Sequence, residues 1–143
     1  MKLKDIMTPN PVCVSPDDSL QDAARKMRDL NVGPMPVCDN NRLAGMLTDR
    51  DIVLTSVAEG KDPRTTHVRE AMSEGVFYGF EDQDIDEAAR TMREKQIRRL
   101  LVLNRDKNLV GIVSLGDLAT ANGDQQQSGA VLQGISEPSE PSR

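Results

Sequence analysis

The stretch that decides the fold is GMLTDRD, Gly45 to Asp51. Its tetrad Thr48-Asp49-Arg50-Asp51 carries a hydroxyl followed three residues later by an acid. That is a helix-start pattern, in which the hydroxyl accepts from a free backbone N–H and the carboxylate reaches back to another. On its own such a tetrad punctuates a helix. The sequence then repeats it as GIVSLGD, Gly111 to Asp117.

The two stretches belong to a longer repeat. With an offset of 65, Met7 faces Met72, Asp17 faces Asp82, Ala23-Ala24-Arg25 faces Ala88-Ala89-Arg90, Met27-Arg28 faces Met92-Arg93 and Val37 faces Val102. After a one-residue insertion Leu43, Gly45 and Asp51 face Leu109, Gly111 and Asp117. A period this long, present twice, reads as a duplicated unit rather than a solenoid. Each copy gives a short apolar strand (PVCV, 11–14; VFYGF, 76–80), then a helix with apolar residues at helical spacing (20, 23, 24, 27 and 30 in the first copy). A hairpin turning at Asn40-Asn41 or Arg105–Asn108 follows, and then a second helix. In the first copy this helix runs from Thr48 and ends at Gly60.

The order β-α-β-β-α, twice, predicts an α+β fold. Each copy of roughly fifty residues is too small to bury much alone. Two small three-stranded sheets packed with pseudo-two-fold symmetry would solve that, leaving two equivalent clefts between the halves. The boundaries read as 1–60 and 71–121 for the repeats, 61–70 for a linker, and 122–143 for a flexible polar C-terminal tail rich in Gln, Ser, Gly and Pro. AVLQGI (130–135) could dock a short helix there.

Composition narrows the function. The chain has 143 residues, a net charge of −5, and 2% aromatic residues with no Trp. An acidic balance and so few stacking rings argue against a nucleic-acid binder. No apolar run approaches a membrane span, and MKLKDIMTPNP lacks the apolar core of a signal peptide, so the cytoplasm is expected. Cys13, Cys38 and the single His67 lack metal-ligand spacing. The two cysteines read either as small core residues or as a pair able to form a disulfide. No nucleophile–base constellation or phosphate-binding loop is visible, so no enzyme is expected.

The doubled G-x-x-[ST]-x-x-D, each copy following a hairpin, resembles a pair of cystathionine-β-synthase (CBS) domains, a Bateman module, over residues 1 to about 121. The chain is most similar to stand-alone bacterial two-CBS proteins. The resemblance implies a non-catalytic regulatory module that binds AMP, ADP, ATP or S-adenosylmethionine. It implies that the motif Asp bonds the ribose hydroxyls while the Ser/Thr lies near phosphate or ribose. It implies a homodimer and a separate effector protein.

By the same resemblance each cleft mixes the repeats. Cleft one would join Ser114 and Asp117 to Thr8, Val12, Cys13, Gly33 and Pro34, with the backbone at Val12 and Cys13 meeting the adenine edge. Cleft two would join Thr48 and Asp51 to Ser73, Val76, Phe77, Arg98 and Arg99. The arginine pair suits phosphate, so cleft two is expected to prefer phosphorylated nucleotides. The alternative is a homodimeric interaction module that binds no nucleotide.

Overall fold

The computed structural model describes residues 1–122; the tail from 123 onward, with the AVLQGI segment, lies outside the described residues. In chain order the elements are α1 (Leu3–Ile6), β1 (Thr8–Pro9), α2 (Leu20–Leu30), β2 (Pro34–Asp39), β3 (Arg42–Thr48), α3 (Asp49–Val53), a π-helical turn (Leu54–Ala58), a 3-10 turn (Val68–Glu70), β4 (Tyr78–Phe80), α4 (Ile85–Lys95), β5 (Arg99–Leu103), β6 (Leu109–Ser114) and α5 (Leu115–Asn122).

Local chemistry sets most of these bounds. Ser19 caps α2 by accepting from the Asp22 N–H at 3.1 Å, and Asp84 caps α4 by accepting from the Asp86 N–H at 2.9 Å. Both helices end on a left-handed residue, Asn31 (φ 55°) and Gln96 (φ 54°). The hairpin turns at Asn40-Asn41, both at positive φ, which asparagine tolerates. The second helix of the first repeat is not regular to Gly60. The Ser56 hydroxyl donates to the Ile52 carbonyl at 2.6 Å, and the chain widens into the π-helical turn before Gly60 (φ 74°) stops it.

The chain divides into two compact units, residues 12–76 and residues 1–11 with 77–122. These do not coincide with the sequence repeats. In the second unit the sheet order is β1-β6-β5-β4, so the N-terminal leader supplies an edge strand to the second repeat. In the first unit β2 and β3 pair, Val14 makes a single parallel bridge to Val37, and Ser73 makes an antiparallel bridge to Met46. The correspondence is residue for residue. Thr8 opposite Ile112 matches Ser73 opposite Met46, and Gly79 beside Val102 matches Val14 beside Val37. The second unit thus has a four-stranded sheet, and the first a two-stranded one with single bridges at the two matching outer positions. One outer position of each is filled by the leader that precedes the other repeat.

The leaders are docked by matched contacts. Leu3 N–H donates to the Gln83 carbonyl at 2.9 Å, and Val68 N–H donates to the Asp18 carbonyl at 2.8 Å. Leu3 and Val68 are both fully buried. Residues 61–70, read from sequence as a linker, are therefore part of the first unit, with Leu20 and Gln21 N–H bonded to the Thr66 and Pro63 carbonyls. The first strand of each copy is shorter than expected. PVCV opens on Pro11 and is followed by Pro16, neither of which has an N–H, and only Val14 pairs.

Each unit has its own core. Val14, Leu20, Ala23, Met27, Met35, Val37, Leu47, Ile52 and Val68 fill the first. Leu3, Ile85, Ala88, Ala89, Met92, Leu100, Val102, Val113 and Leu118 fill the second.

Candidate functional site

Both repeated motifs fold into the reciprocal cap that their spacing predicts. Thr48 Oγ1 accepts from the Asp51 N–H at 3.1 Å, and the Thr48 N–H donates to Asp51 Oδ2 at 2.9 Å. Ser114 Oγ accepts from the Asp117 N–H at 3.2 Å, and the Ser114 N–H donates to Asp117 Oδ2 at 2.8 Å. All four side chains are half-buried. A carboxylate held by one N–H on one oxygen keeps acceptor capacity for further donors. Each motif can therefore cap its helix and still accept from a ligand diol.

What surrounds the two caps differs. β2 and β3 pair with Pro34 opposite Thr48, and the Asp49 N–H donates to the Gly33 carbonyl at 3.1 Å. Gly33 and Pro34 thus stand beside the Thr48 start, with the Asp49 carboxylate next to Gly33. In the other unit Arg99 lies opposite Ser114, and the Leu115 N–H donates to the Arg98 carbonyl at 3.2 Å. Arg98 and Arg99, both exposed, flank the Ser114 start of α5. The sequence reading placed these arginines with Thr48 and Asp51, and Gly33-Pro34 with Ser114 and Asp117. Those clefts join the two repeats; within each unit, the hairpin register lays Arg99 opposite Ser114 and Pro34 opposite Thr48.

Two further expected neighbours are brought together. Ser73 bridges Met46, two residues before Thr48, and Thr8 pairs with Ile112, two residues before Ser114. Successive residues alternate faces, so these pairs share an edge and a face. Of the remaining candidates, Val12 (exposed), Cys13 and Val76 belong to the unit of Thr48. Phe77 belongs to the unit of Ser114, where the Lys95 ammonium sits 5.0 Å from its ring centroid.

The motif glycines have a role that the sequence reading did not assign. A Cβ on Gly45 would strike the backbone carbonyl oxygen of Ser73, and a Cβ on Gly111 would strike the Met7 side chain. Each glycine lets a leader lie flat on the hairpin. The matched pairs Met7/Met72 and Gly45/Gly111 were the available signal, since leader and glycine repeat together.

A groove of about 500 Å³ runs between α2 and α3, lined by Met27, Arg28, Asn31, Gly33, Asp49 and Val53 among others. Of the expected binding residues it contains Gly33. Cys13 and Cys38 are free thiols, the first half-buried and the second buried. Burial first, then the charge and hydrogen bond of Cys13, push the Cys38 thiol up to about 12. His67 faces the Asp17 carbonyl through Nδ1 at 3.0 Å. Among the described residues no group of three His, Cys, Asp or Glu could hold a metal ion. None of their helices is long and apolar enough to cross a membrane.

The CBS-domain model matches residues 3–57 and 68–124. CBS domain-containing protein YhcV of Bacillus subtilis is 42% identical over 134 residues, covering 94% of each chain. Hypoxic response protein 1 of Mycobacterium tuberculosis is 40% identical over 117 residues, 81% of each. A crystal structure of Hypoxic Response Protein I with two coordinated zinc ions superposes with a TM-score of 0.73 at 39% identity, covering 84% of this chain and 98% of that one. CBSX2 in complex with AMP gives 0.70 at 28% identity, covering 84% and 94%. The CBS domain pair of MJ0100 with 5-methylthioadenosine and S-adenosyl-L-methionine gives 0.67 at 26%, covering 86% and 96%. With both halves matched, the chain belongs to the CBS-domain family as a tandem pair.

Proposed function

We propose that this chain is a regulatory module that binds an adenosine-containing ligand, with a phosphorylated group at the Ser114 start of α5. The observation that carries the reading is the register of Arg99 opposite Ser114, with Arg98 bonded through its carbonyl to Leu115. That places two guanidinium-bearing residues at the N-terminal turn of an eight-residue helix. The helix dipole favours an anion there, and arginine adds a fork of donors matched to phosphate. Asp117 is the acceptor for ribose hydroxyls. The Thr48–Asp51 start has the same carboxylate geometry, but its flanking residues are Gly33, Pro34 and Asp49. It suits an uncharged adenosine end better than a phosphate. AMP in CBSX2, and 5-methylthioadenosine with S-adenosylmethionine in MJ0100, support the ligand class.

The test is thermal unfolding with AMP, ADP, ATP and S-adenosylmethionine. A ligand at a hundred times its Kd adds about 2.7 kcal/mol of stability. A gain with a phosphorylated nucleotide that is lost in Asp117→Asn and reduced in Arg99→Gln, but kept in Asp51→Asn, is expected. Loss confined to Asp51→Asn overturns the arginine argument, and no gain with any ligand overturns nucleotide binding.

A second reading rests on a different observation. Val53, Leu54 and Val57 are 52%, 45% and 76% exposed on the helix that follows Thr48. Three apolar side chains within two turns are a surface fit for a second copy of this chain. A homodimer that dissociates in Val57→Glu, read by sedimentation, supports it; a wild-type monomer at micromolar concentration refutes it.

A further inference from the structure

We propose that Cys13 and Cys38 form a reversible dithiol–disulfide pair that an external low-molecular-weight disulfide oxidises through Cys13. They are the two cysteines of the chain, and 24 residues separate them in sequence. The fold closes that separation. Val14 N–H donates to the Pro36 carbonyl at 3.0 Å, and Cys38 N–H donates to the Val14 carbonyl at 2.9 Å. These two bonds clamp the segment carrying Cys13 onto β2. A register shift between Val37 and Cys38 breaks the regular alternation of β2, and both of those residues are buried. The outcome is proximity: Cys38 is bonded through its backbone to the residue next to Cys13, and the Cys13 thiol is near enough to help raise the Cys38 thiol.

The two thiols are not equivalent, and the asymmetry orders the chemistry. Cys38 is 6% exposed, whereas Cys13 is half-buried and reachable from solvent. The Lys26 ammonium donates to the Cys13 backbone carbonyl at 3.4 Å. Burial keeps Cys38 protonated and shields it from any bulky reagent. Cys13 is therefore the attacking group and Cys38 the resolving one.

The steps balance. Cys13 thiolate attacks one sulfur of R–S–S–R, forming Cys13–S–S–R and releasing RS⁻, which takes up the proton that Cys13 gave to solvent. Cys38 then loses its proton to solvent and attacks the Cys13 sulfur. The mixed disulfide breaks and a second RS⁻ leaves as RSH. Two protein thiols are oxidised and one external disulfide is reduced to two thiols. Once Cys13 is capped, its charge and hydrogen bond no longer raise the Cys38 thiol, which eases the second step. A bonded S–S length of about 2.05 Å requires the two sulfurs to approach each other. The 11–14 segment can follow, because only Val14 anchors it to the sheet.

The experiment incubates the reduced full chain with glutathione disulfide at several ratios to glutathione. The reaction is quenched in acid, unfolded and alkylated with N-ethylmaleimide, then read by intact and peptide mass. The expected wild-type product is lighter by two hydrogens, has neither cysteine alkylated, gives a linked 13/38 peptide, and is returned by dithiothreitol. Cys38→Ser should stop with glutathione on Cys13, and Cys13→Ser should stay unmodified while folded. A wild-type product that keeps glutathione on Cys13 with Cys38 alkylated, disulfide-linked dimers, or no reaction overturns the proposal. The wild-type result decides the matter even where a variant folds poorly. It involves no nucleotide, so it stands or falls apart from the ligand reading.

Discussion

Replacing Gly45 with Ala should damage the protein more than the same change at Gly111, although the repeat aligns them. The clashing partner decides this. At Gly45 the new Cβ runs into the Ser73 carbonyl oxygen, with the Ser73 carbonyl carbon at 3.3 Å and Met72 Sδ at 3.4 Å. That oxygen is fixed by the bridge in which Met46 N–H donates to Ser73 O at 2.8 Å and Ser73 N–H to Met46 O at 2.9 Å. Backbone cannot swing away as a side chain can. Overpacking costs about 1–3 kcal/mol, and weakening two backbone hydrogen bonds adds about 1 kcal/mol each. Against this, alanine recovers about 0.5–1 kcal/mol over glycine in a strand interior. The net loss is about 2–4 kcal/mol.

At Gly111 the obstacle is Met7, with Sδ closest, Cγ at 2.8 Å and Cβ at 3.1 Å. Methionine has three rotatable bonds and repacks readily, so Gly111→Ala should cost about 0.5–2 kcal/mol. Urea titration of both variants, followed by far-UV circular dichroism, measures the difference. Near this chain length 1 kcal/mol moves Tm by about 3–6 °C, so the two should separate clearly in a melt. If Gly111→Ala proves equal to or worse than Gly45→Ala, the leader carbonyl is not the constraint on the motif glycine, and the exchanged-leader argument fails with it.

Four other outcomes are expected. Thr48→Ala and Ser114→Ala should each lower the urea midpoint by the equivalent of about 0.5–2 kcal/mol, the usual worth of such a cap. Folding raises the Cys38 thiol from 9.0 to about 12, so its contribution is complete below pH 9 and disappears as pH rises toward 12. Cys38→Ala should flatten that alkaline loss in a pH series of melts. The Arg105 hydrogen bond holds the Asp82 carboxyl below the usual aspartate range, so its contribution is present above that range and lost as pH falls through the lowered value. Arg105→Ala should move the Asp82 NMR titration up while leaving Tm nearly unchanged, because the pair is exposed. A fragment spanning 12–76 should show more protected amides in hydrogen exchange than one spanning 1–60, because only the former contains the Val68 leader that closes its own core.

The local elements were legible because local chemistry dictates them. Apolar spacing from Leu20 to Leu30 and the cap at Ser19 bound α2, and Asn40-Asn41 announces its hairpin. The exchange of leaders was not legible in the same way. Thr8 pairs with Ile112 across the whole chain, and no periodicity within either segment encodes a partner so distant. The repeat still carried a trace of it, since Met7 and Met72 recur in step with Gly111 and Gly45. The in-unit neighbour of the arginines is legible directly. A hairpin turning at Arg105–Asn108 folds position 99 onto position 114, which is the register observed.

Duplication gave this chain two helix starts whose hydrogen bonds agree within 0.1 Å: 2.9 and 3.1 Å at Thr48–Asp51, 2.8 and 3.2 Å at Ser114–Asp117. Geometry so alike cannot distinguish ligands, because each carboxylate and hydroxyl offers the same acceptors in the same arrangement. On the ligand reading proposed above, a difference in what the two starts bind comes from the residues around each cap, chief among them the one that the hairpin lays opposite it. In one repeat that is Pro34, preceded by Gly33; in the other it is Arg99, preceded by Arg98. On that reading, the cap is where an adenosine-like group would be held. The two residues that open the preceding hairpin would then set the charge that group can carry. Exchanging the two dipeptides, Gly33→Arg with Pro34→Arg and Arg98→Gly with Arg99→Pro, should exchange the phosphate preference between Asp51 and Asp117 while leaving both caps intact.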